Sequence, residues 1–262
     1  MIAIIPRQLW AFIKNTMLEA MRNKILYAIF FFAAMAIGAT SAFGALSLHQ
    51  EERVFNTLVL AANVFFLSSL AIYQGVSAIQ REIESRTIFT VLSKPVERPT
   101  FIVGKYLGSL AMMTLCLAIL FTLKLGVASF LGYSITSHLF ATYYGVFLQL
   151  TIVVALAIFF SSFSTQLLSA LFAFSLFLVG NLTPQLRDAS IYFAEQGNPI
   201  SHIIDVSLYI IPDLEKLNLS FELTHRIDIS MTYIWHATAY SFVVVAILLL
   251  GAHFVFRNRD FY

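Results

Sequence analysis

Six long apolar runs, separated by short polar stretches, make up most of this chain: residues 25–46, 54–79, 101–131, 140–160, 167–182 and 233–255. About 20 apolar residues cross a hydrocarbon core of about 30 Å. Backbone in lipid has to satisfy its own hydrogen bonds, so runs of this length predict helices. Strands of a membrane barrel would alternate apolar and polar residues, and the stretches 152–160 and 167–179 do not alternate. The pattern predicts an all-α, polytopic membrane protein with six transmembrane helices. The fifth run is short. As a helix, 167–182 rises only about 24 Å, and Gly180, Asn181 and Pro184 interrupt it.

Outside the runs the period changes. Residues 1–24 read as an amphipathic interfacial helix. At 100° per residue Leu9, Trp10, Ile13, Met17, Ala20 and Met21 share an arc of about 120°, opposite Gln8, Asn15, Glu19 and Arg22. Such a helix lies in the headgroup plane, either as an anchor or as an elbow framing a lateral opening for a lipid-like substrate. The rest, 25–262, forms the six-helix domain. Between the second and third runs, residues 81–105 crowd Arg81, Arg86, Lys94, Arg98 and Lys105 with Glu82, Glu84 and Glu97. A solvated loop explains the charges but not Ile88, Phe89, Val91 and Leu92 among them. A short helix over 84–92, closed by Ser93, Lys94 and Pro95, explains both and presents an apolar docking face.

Residues 183–232 form a long connection that carries Asp188, Glu195, Asp205, Asp213, Glu215, Glu222 and Asp228 against Arg187, Lys216 and Arg226. Short external helices are expected here, dipping partly into the membrane behind protein. Asn198 and Pro199 open one, with Ile200, Ile203, Ile204, Leu208 and Ile211 on one face, and Pro212 stops it. His202, Asp205 and Tyr209 share another side, either as a candidate external gate or as a solvated face. Gly104 and Gly108 form a GxxxG, which serves close helix packing or a hinge. Lys124 is the one charge inside a run. It lies about 28 Å along the helix axis from Lys105, near the outer boundary, and is expected to snorkel to the outer headgroups.

Composition narrows the function. The chain has 262 residues, 59% hydrophobic and 11% charged, with a mean hydropathy of +0.83. A soluble domain carries roughly a quarter charged residues, and no soluble domain large enough to bind nucleic acid is present. With six spans, Arg7, Lys14, Arg22, Lys24, the five basic residues of 81–105, Arg257 and Arg259 fall on one side. Only Arg53, Arg187, Lys216 and Arg226 fall on the other. Basic residues favour the cytoplasm, which places both termini and 81–105 there. Residues 1–24, charged and amphipathic, do not read as a cleavable signal.

Catalytic signatures are missing from the sequence. Cys116 is alone, so no disulfide framework or thiol metal site arises, and the six His show no metal-ligand spacing. The sole Gly-Lys, Gly104-Lys105, has Pro99 where a phosphate-binding loop needs Gly and Tyr106 where it needs Ser or Thr. No GxSxG occurs. The chain is not expected to be an enzyme or to hold a cofactor.

Three patches carry a family resemblance: Glu82-x-Glu84-x-x-Thr87, then Leu92-Ser93-Lys94-Pro95-Val96-x-Arg98, then Gly104-Lys105-x-x-Gly108. Together they resemble the permease subunits of type II ABC exporters. A further patch, Ile211-Pro212-Asp213-Leu214-Glu215 through Asn218-Leu219, is similar to the external motif of the branch that includes copper-maturation and gliding-motility permeases. The resemblance implies that 81–105 holds a cytoplasmic coupling helix which fits a cleft on a separate ATPase subunit. There Glu82, Glu84, Arg86 and Arg98 would dock electrostatically and Ile88, Phe89 and Leu92 would fill the cleft, with Thr87, Lys94 and Pro95 as motif positions. It also implies two ATPase copies carrying ATP and Mg, a second copy of this chain or a homologous permease, and residence in a bacterial inner membrane among its lipids. Arg86 stands where many members have Gly. The function implied is movement of a substrate across or out of the membrane. The alternatives are transmission of motion through 181–228 to an external, periplasmic protein, and an ATP-independent channel or assembly scaffold.

Overall fold

The computed structural model describes residues 4–44, 51–84, 98–134, 136–225, 227 and 229–257. Among them ten α-helices occur and no strand. In order they are α1 (Ile4–Met21), α2 (Lys24–Gly44), α3 (Glu51–Glu84), α4 (Arg98–Phe130), α5 (Ser137–Ser161), α6 (Gln166–Asn181), α7 (Thr183–Glu195), α8 (Ile200–Ile210), α9 (Ser220–His225) and α10 (Met231–Arg257). A 3₁₀ turn, Glu215–Leu217, precedes α9. Four stretches are long and apolar enough to cross a membrane: Glu51–Ile83, Pro99–Phe130, His138–Ser161 and Met231–Val255. Helices α6 and α7 together pass the same test but meet at 68°. The 21-residue α2 completes the set of long apolar helices.

Helix α5 is the axis of the bundle. Every residue from 148 to 158 is buried, as expected of a helix that is apolar on all sides. Helix α3 crosses it where Gly75 meets Ala157; a Cβ on Gly75 would lie 2.7 Å from the Ala157 Cβ. Helix α10 is the rim. Only 17% of its apolar window is buried, against 78% for α5, and Trp235, Phe242, Ile247 and Phe254 are exposed.

Two expectations about boundaries change. The run read as 54–79 sits inside a longer helix of 34 residues, and the run 101–131, all but Leu131, lies in one of 33 that starts earlier. Arg81, Glu82 and Glu84 therefore close α3 and Arg98 opens α4, rather than belonging to a loop, while Gly104 and Lys105 sit in the early turns of α4. Pro99 fits because the first helical turn has no intrahelical acceptor for its missing N–H. The short coupling helix expected over 84–92, with Arg86, Thr87, Ile88, Phe89, Leu92, Lys94 and Pro95, lies outside the described residues.

The expectation for Lys124 is overturned. Its side chain is 1% exposed, and its Nζ has no hydrogen-bond partner. It belongs to the buried stripe Met113, Leu117, Leu120, Lys124, Ala128 on α4, at helical spacings of three and four. Side chains on a helix lean toward its N-terminus, and the α4 N-terminus is at the opposite end of the bundle. Snorkelling outward would oppose that lean. The ammonium instead sits over the Tyr143 ring of α5, 5.3 Å from its centroid, and Tyr143 OH accepts from Asn63 Nδ2 of α3 at 2.7 Å.

Candidate functional site

The ends of α3 and α4 that flank residues 85–97 converge with α1 on a charged network. Lys105 Nζ, whose side chain is 0% exposed, donates to Glu82 Oε1 at 2.8 Å and lies 3.7 Å from Glu19 Oε2. Arg81 reaches Glu19 Oε1 at 3.7 Å and donates to Tyr73 OH at 3.2 Å, which also accepts from Asn23 Nδ2 at 2.9 Å. Two cations and two carboxylates thus bind three helices. Burying a lysine this completely is affordable only with such partners, because an unpaired buried charge costs several kcal/mol.

Apolar packing reinforces the network. Gly104 and Gly108 face α1: a Cβ on Gly104 would lie 2.6 Å from Phe12 Cβ, and one on Gly108 would lie 2.7 Å from Thr16 Cβ. Phe12 also stands edge-on to Phe101, with centroids 5.6 Å apart. The inward face of α1 is therefore Phe12, Thr16 and Ala20, at i, i+4, i+8. Trp10 and Met21, placed on the apolar arc by the sequence, are exposed. Close approach at a small-residue pair outweighs the polarity of Thr16.

The same end is tied to the rest of the bundle by Gln80, which the sequence reading did not single out. Its Nε2 donates to Ser161 O at 3.0 Å and Ser164 O at 2.6 Å, and Ser161 Oγ returns a bond to Val76 O at 3.2 Å. These hold the α5–α6 turn against the end of α3. A polar side chain facing inward on a membrane helix is the signal that would have found it.

At the far end the sequence-predicted gate residues are not brought together. Asp205 Oδ1 accepts from Ser190 Oγ of α7 at 2.6 Å, which pins α8 to α7. His202 is exposed, and Tyr209 is 92% exposed. The loop after α8 folds onto the bundle instead. Leu214 N donates to Gly180 O at 3.0 Å, where a Gly180 Cβ would lie 2.7 Å from Pro212 O. Thr142 Oγ1 of α5 donates to Leu219 O at 3.3 Å. Glu215 accepts from Asn218 Nδ2 at 3.1 Å through both oxygens. Burial, opposed by the Asn218 bond and aided by the charges of Asp213 and Glu222, holds its carboxyl above the usual range. Among the described residues no group of His, Cys, Asp and Glu is arranged to hold a metal ion.

The profile of one protein family, described as ABC-2 family transporter protein, matches residues 10–261. No curated protein matches the chain.

Proposed function

Since the chain belongs to the ABC-2 family of transporter proteins, and is thus an ABC permease subunit in a multi-pass membrane protein, we propose that it moves a substrate using ATP hydrolysed on a separate subunit. ATP and Mg would reside on that partner. The observation that carries this reading is the convergence of α1, α3, α4 and the α5–α6 turn on Glu19, Gln80, Glu82 and Lys105. A force applied to residues 85–97 would enter both α3 and α4 at once, and pass to α5 and α6 through Gln80. Coupling of this sort is a free-energy difference between two states that both partners sense.

In this reading the bent α6–α7 pair and α2 each count as one crossing, giving six. Both termini and the charged end face the cytoplasm, in a bacterial inner membrane. Two permeases and two ATPases form the transporter. Surface ion pairs contribute only about 0–1 kcal/mol each, so Ile88, Phe89 and Leu92 should dominate docking over Glu84, Arg86 and Arg98. The test is co-purification of the ATPase: Phe89→Asp should abolish it more fully than Arg98→Ala, and equal retention by both defeats the reading. A second reading is favoured by the far-end loop being anchored to α5 and α6 through Thr142 and Gly180. Motion of the spans would then reach an external protein without translocation. ATPase activity that responds to a bound external protein, with no substrate stimulation, would select it.

A further inference from the structure

Helix α8 turns an apolar face away from the protein: Ile203, Val206, Tyr209 and Ile210 are exposed by 59–92%, while Ser201 and the Ser190–Asp205 bond hold the opposite face to α7. The sequence led us to expect protein cover here. In a membrane protein, an uncovered apolar helix face of this length beside the lipid-facing α10 lies in the bilayer boundary.

Between this hairpin, the loop 211–216 and α10 runs a groove of about 860 Å³, within the range of about 300–1,000 Å³ for ligand sites. Its lower wall is apolar, formed by Val244, Ile247 and Leu248 of α10. Its upper wall holds two cations, Arg187 and Lys216, and two carboxylates, Asp205 and Asp213. Asp213 is the buried member, with a side chain 13% exposed. Lys216 Nζ approaches its Oδ2 at 3.4 Å and Arg187 at 4.0 Å, yet the cations themselves are 58% and 61% exposed. One carboxylate oxygen at these distances leaves most of the eight N–H donors of an Arg and a Lys open to another acceptor. Tyr240 marks the polar–apolar boundary. Its OH accepts from Asp213 N at 2.8 Å, and Lys216 Nζ sits 5.7 Å from its ring centroid.

We propose that this groove binds one zwitterionic phospholipid from the leaflet around the far end. Its phosphate lies between Arg187 and Lys216, its ammonium lies against Asp205, and one acyl chain runs down Ile247 and Leu248. The charges select the class. Equal numbers of cations and carboxylates over an apolar trough match a dipolar headgroup with a tail, whereas a purely anionic lipid would meet Asp205 and Asp213 unfavourably. The volume takes a headgroup and part of one chain, so the other chain stays in the bilayer. The inference needs only that the chain is embedded in a membrane; it stands whether or not the ATPase partnership does.

The test uses the full chain in nanodiscs containing equal phosphatidylethanolamine and phosphatidylglycerol, followed by native mass spectrometry of retained lipid. One phosphatidylethanolamine per chain is expected. Arg187→Ala with Lys216→Ala should lower its retention tenfold or more, and Asp205→Asn should shift preference toward phosphatidylglycerol. Val244→Trp, which fills the trough and leaves all four charges, should also expel the lipid. A photo-crosslinker at Ile247 in the otherwise unaltered chain should capture an acyl chain, which keeps the test independent of variant folding. Competition by soluble glycerophosphoethanolamine should be weak, since it lacks the tail. Equal retention by the double variant, no headgroup preference, no capture at Ile247, or full displacement by the soluble headgroup would each overturn the proposal.

Discussion

Replacing Lys105 with Met isolates what the charged network does. The lysine is fully buried and donates to Glu82 at 2.8 Å. Removing one partner of a buried ion pair costs about 3–5 kcal/mol because the other charge stays behind. Glu82 and Glu19 retain 14% and 29% of their side-chain exposure, so water relieves part of the penalty and the lower figure, about 3 kcal/mol, applies. For a chain of this size each kcal/mol moves the melting temperature by about 2–4 °C, so Lys105→Met should lower it by about 6–12 °C. Adding Glu82→Gln removes the stranded charge while keeping the shape, and should bring stability back to within about 1 kcal/mol of the original protein. The assay is thermal unfolding in detergent of both variants, with co-purification of the ATPase measured alongside. Recovered stability with lost coupling is the outcome expected of a network that orients residues 85–97. An unchanged melting temperature in Lys105→Met, or a double variant less stable than the single, would refute the reasoning.

Three further outcomes follow. Gly108→Ala places a methyl 2.7 Å from Thr16 Cβ, so it should cost about 1–3 kcal/mol as overpacking. Adding Thr16→Gly should return most of that in thermal unfolding, whereas Gly38→Ala, with nothing within 4 Å, should show no such loss. Lys124→Met removes a buried amine that lacks a hydrogen-bond acceptor. The unsatisfied group costs about 1–3 kcal/mol and its contact with Tyr143 returns about 0.5–2, so the melting temperature should rise by about 2–4 °C; a fall of that size would contradict it. Glu215 has a raised carboxyl pKa in the folded chain, so the folded state holds its proton more tightly than the unfolded one. The stability it adds is therefore present at acid pH and lost as pH rises through the folded value. Protection factors for hydrogen exchange at residues 211–225, which remove the intrinsic pH dependence of amide exchange, should be higher near pH 4 than near pH 7, and Glu215→Gln should flatten the difference.

The membrane helices were legible because each is specified by its own apolar length, a local property. What the sequence left open are the contacts that depend on which face meets which. Depth along α4 suggested an exit to the headgroups for Lys124, but its spacing from Leu117, Leu120 and Ala128 placed it on the buried stripe. That spacing was available in the sequence, and the direction of side-chain lean would have decided the matter. Glu19 fell on the polar side of α1, yet it faces Lys105 and Arg81; no local pattern on α1 names partners 62 and 86 positions away. The GxxxG of Gly104 and Gly108 announced a close neighbour without saying that the neighbour is α1. The i, i+3, i+7 spacing set His202, Asp205 and Tyr209 along one helix, but Asp205 is engaged by Ser190 from a different helix and Tyr209 stands with the exposed apolar residues.

The sharp turn between α6 and α7 has a consequence for the surrounding lipid. A helix of 16 residues reaches only about 24 Å, some 6 Å short of a typical hydrocarbon slab, before the chain veers sideways at Leu182. Lipids beside it must compress or tilt to avoid leaving polar backbone in oil, at a cost of a fraction of a kcal/mol for each ångström. The permease thus carries a built-in dimple in its own solvent, and any amphiphile approaching along α6 meets the water layer sooner than it would elsewhere on the perimeter.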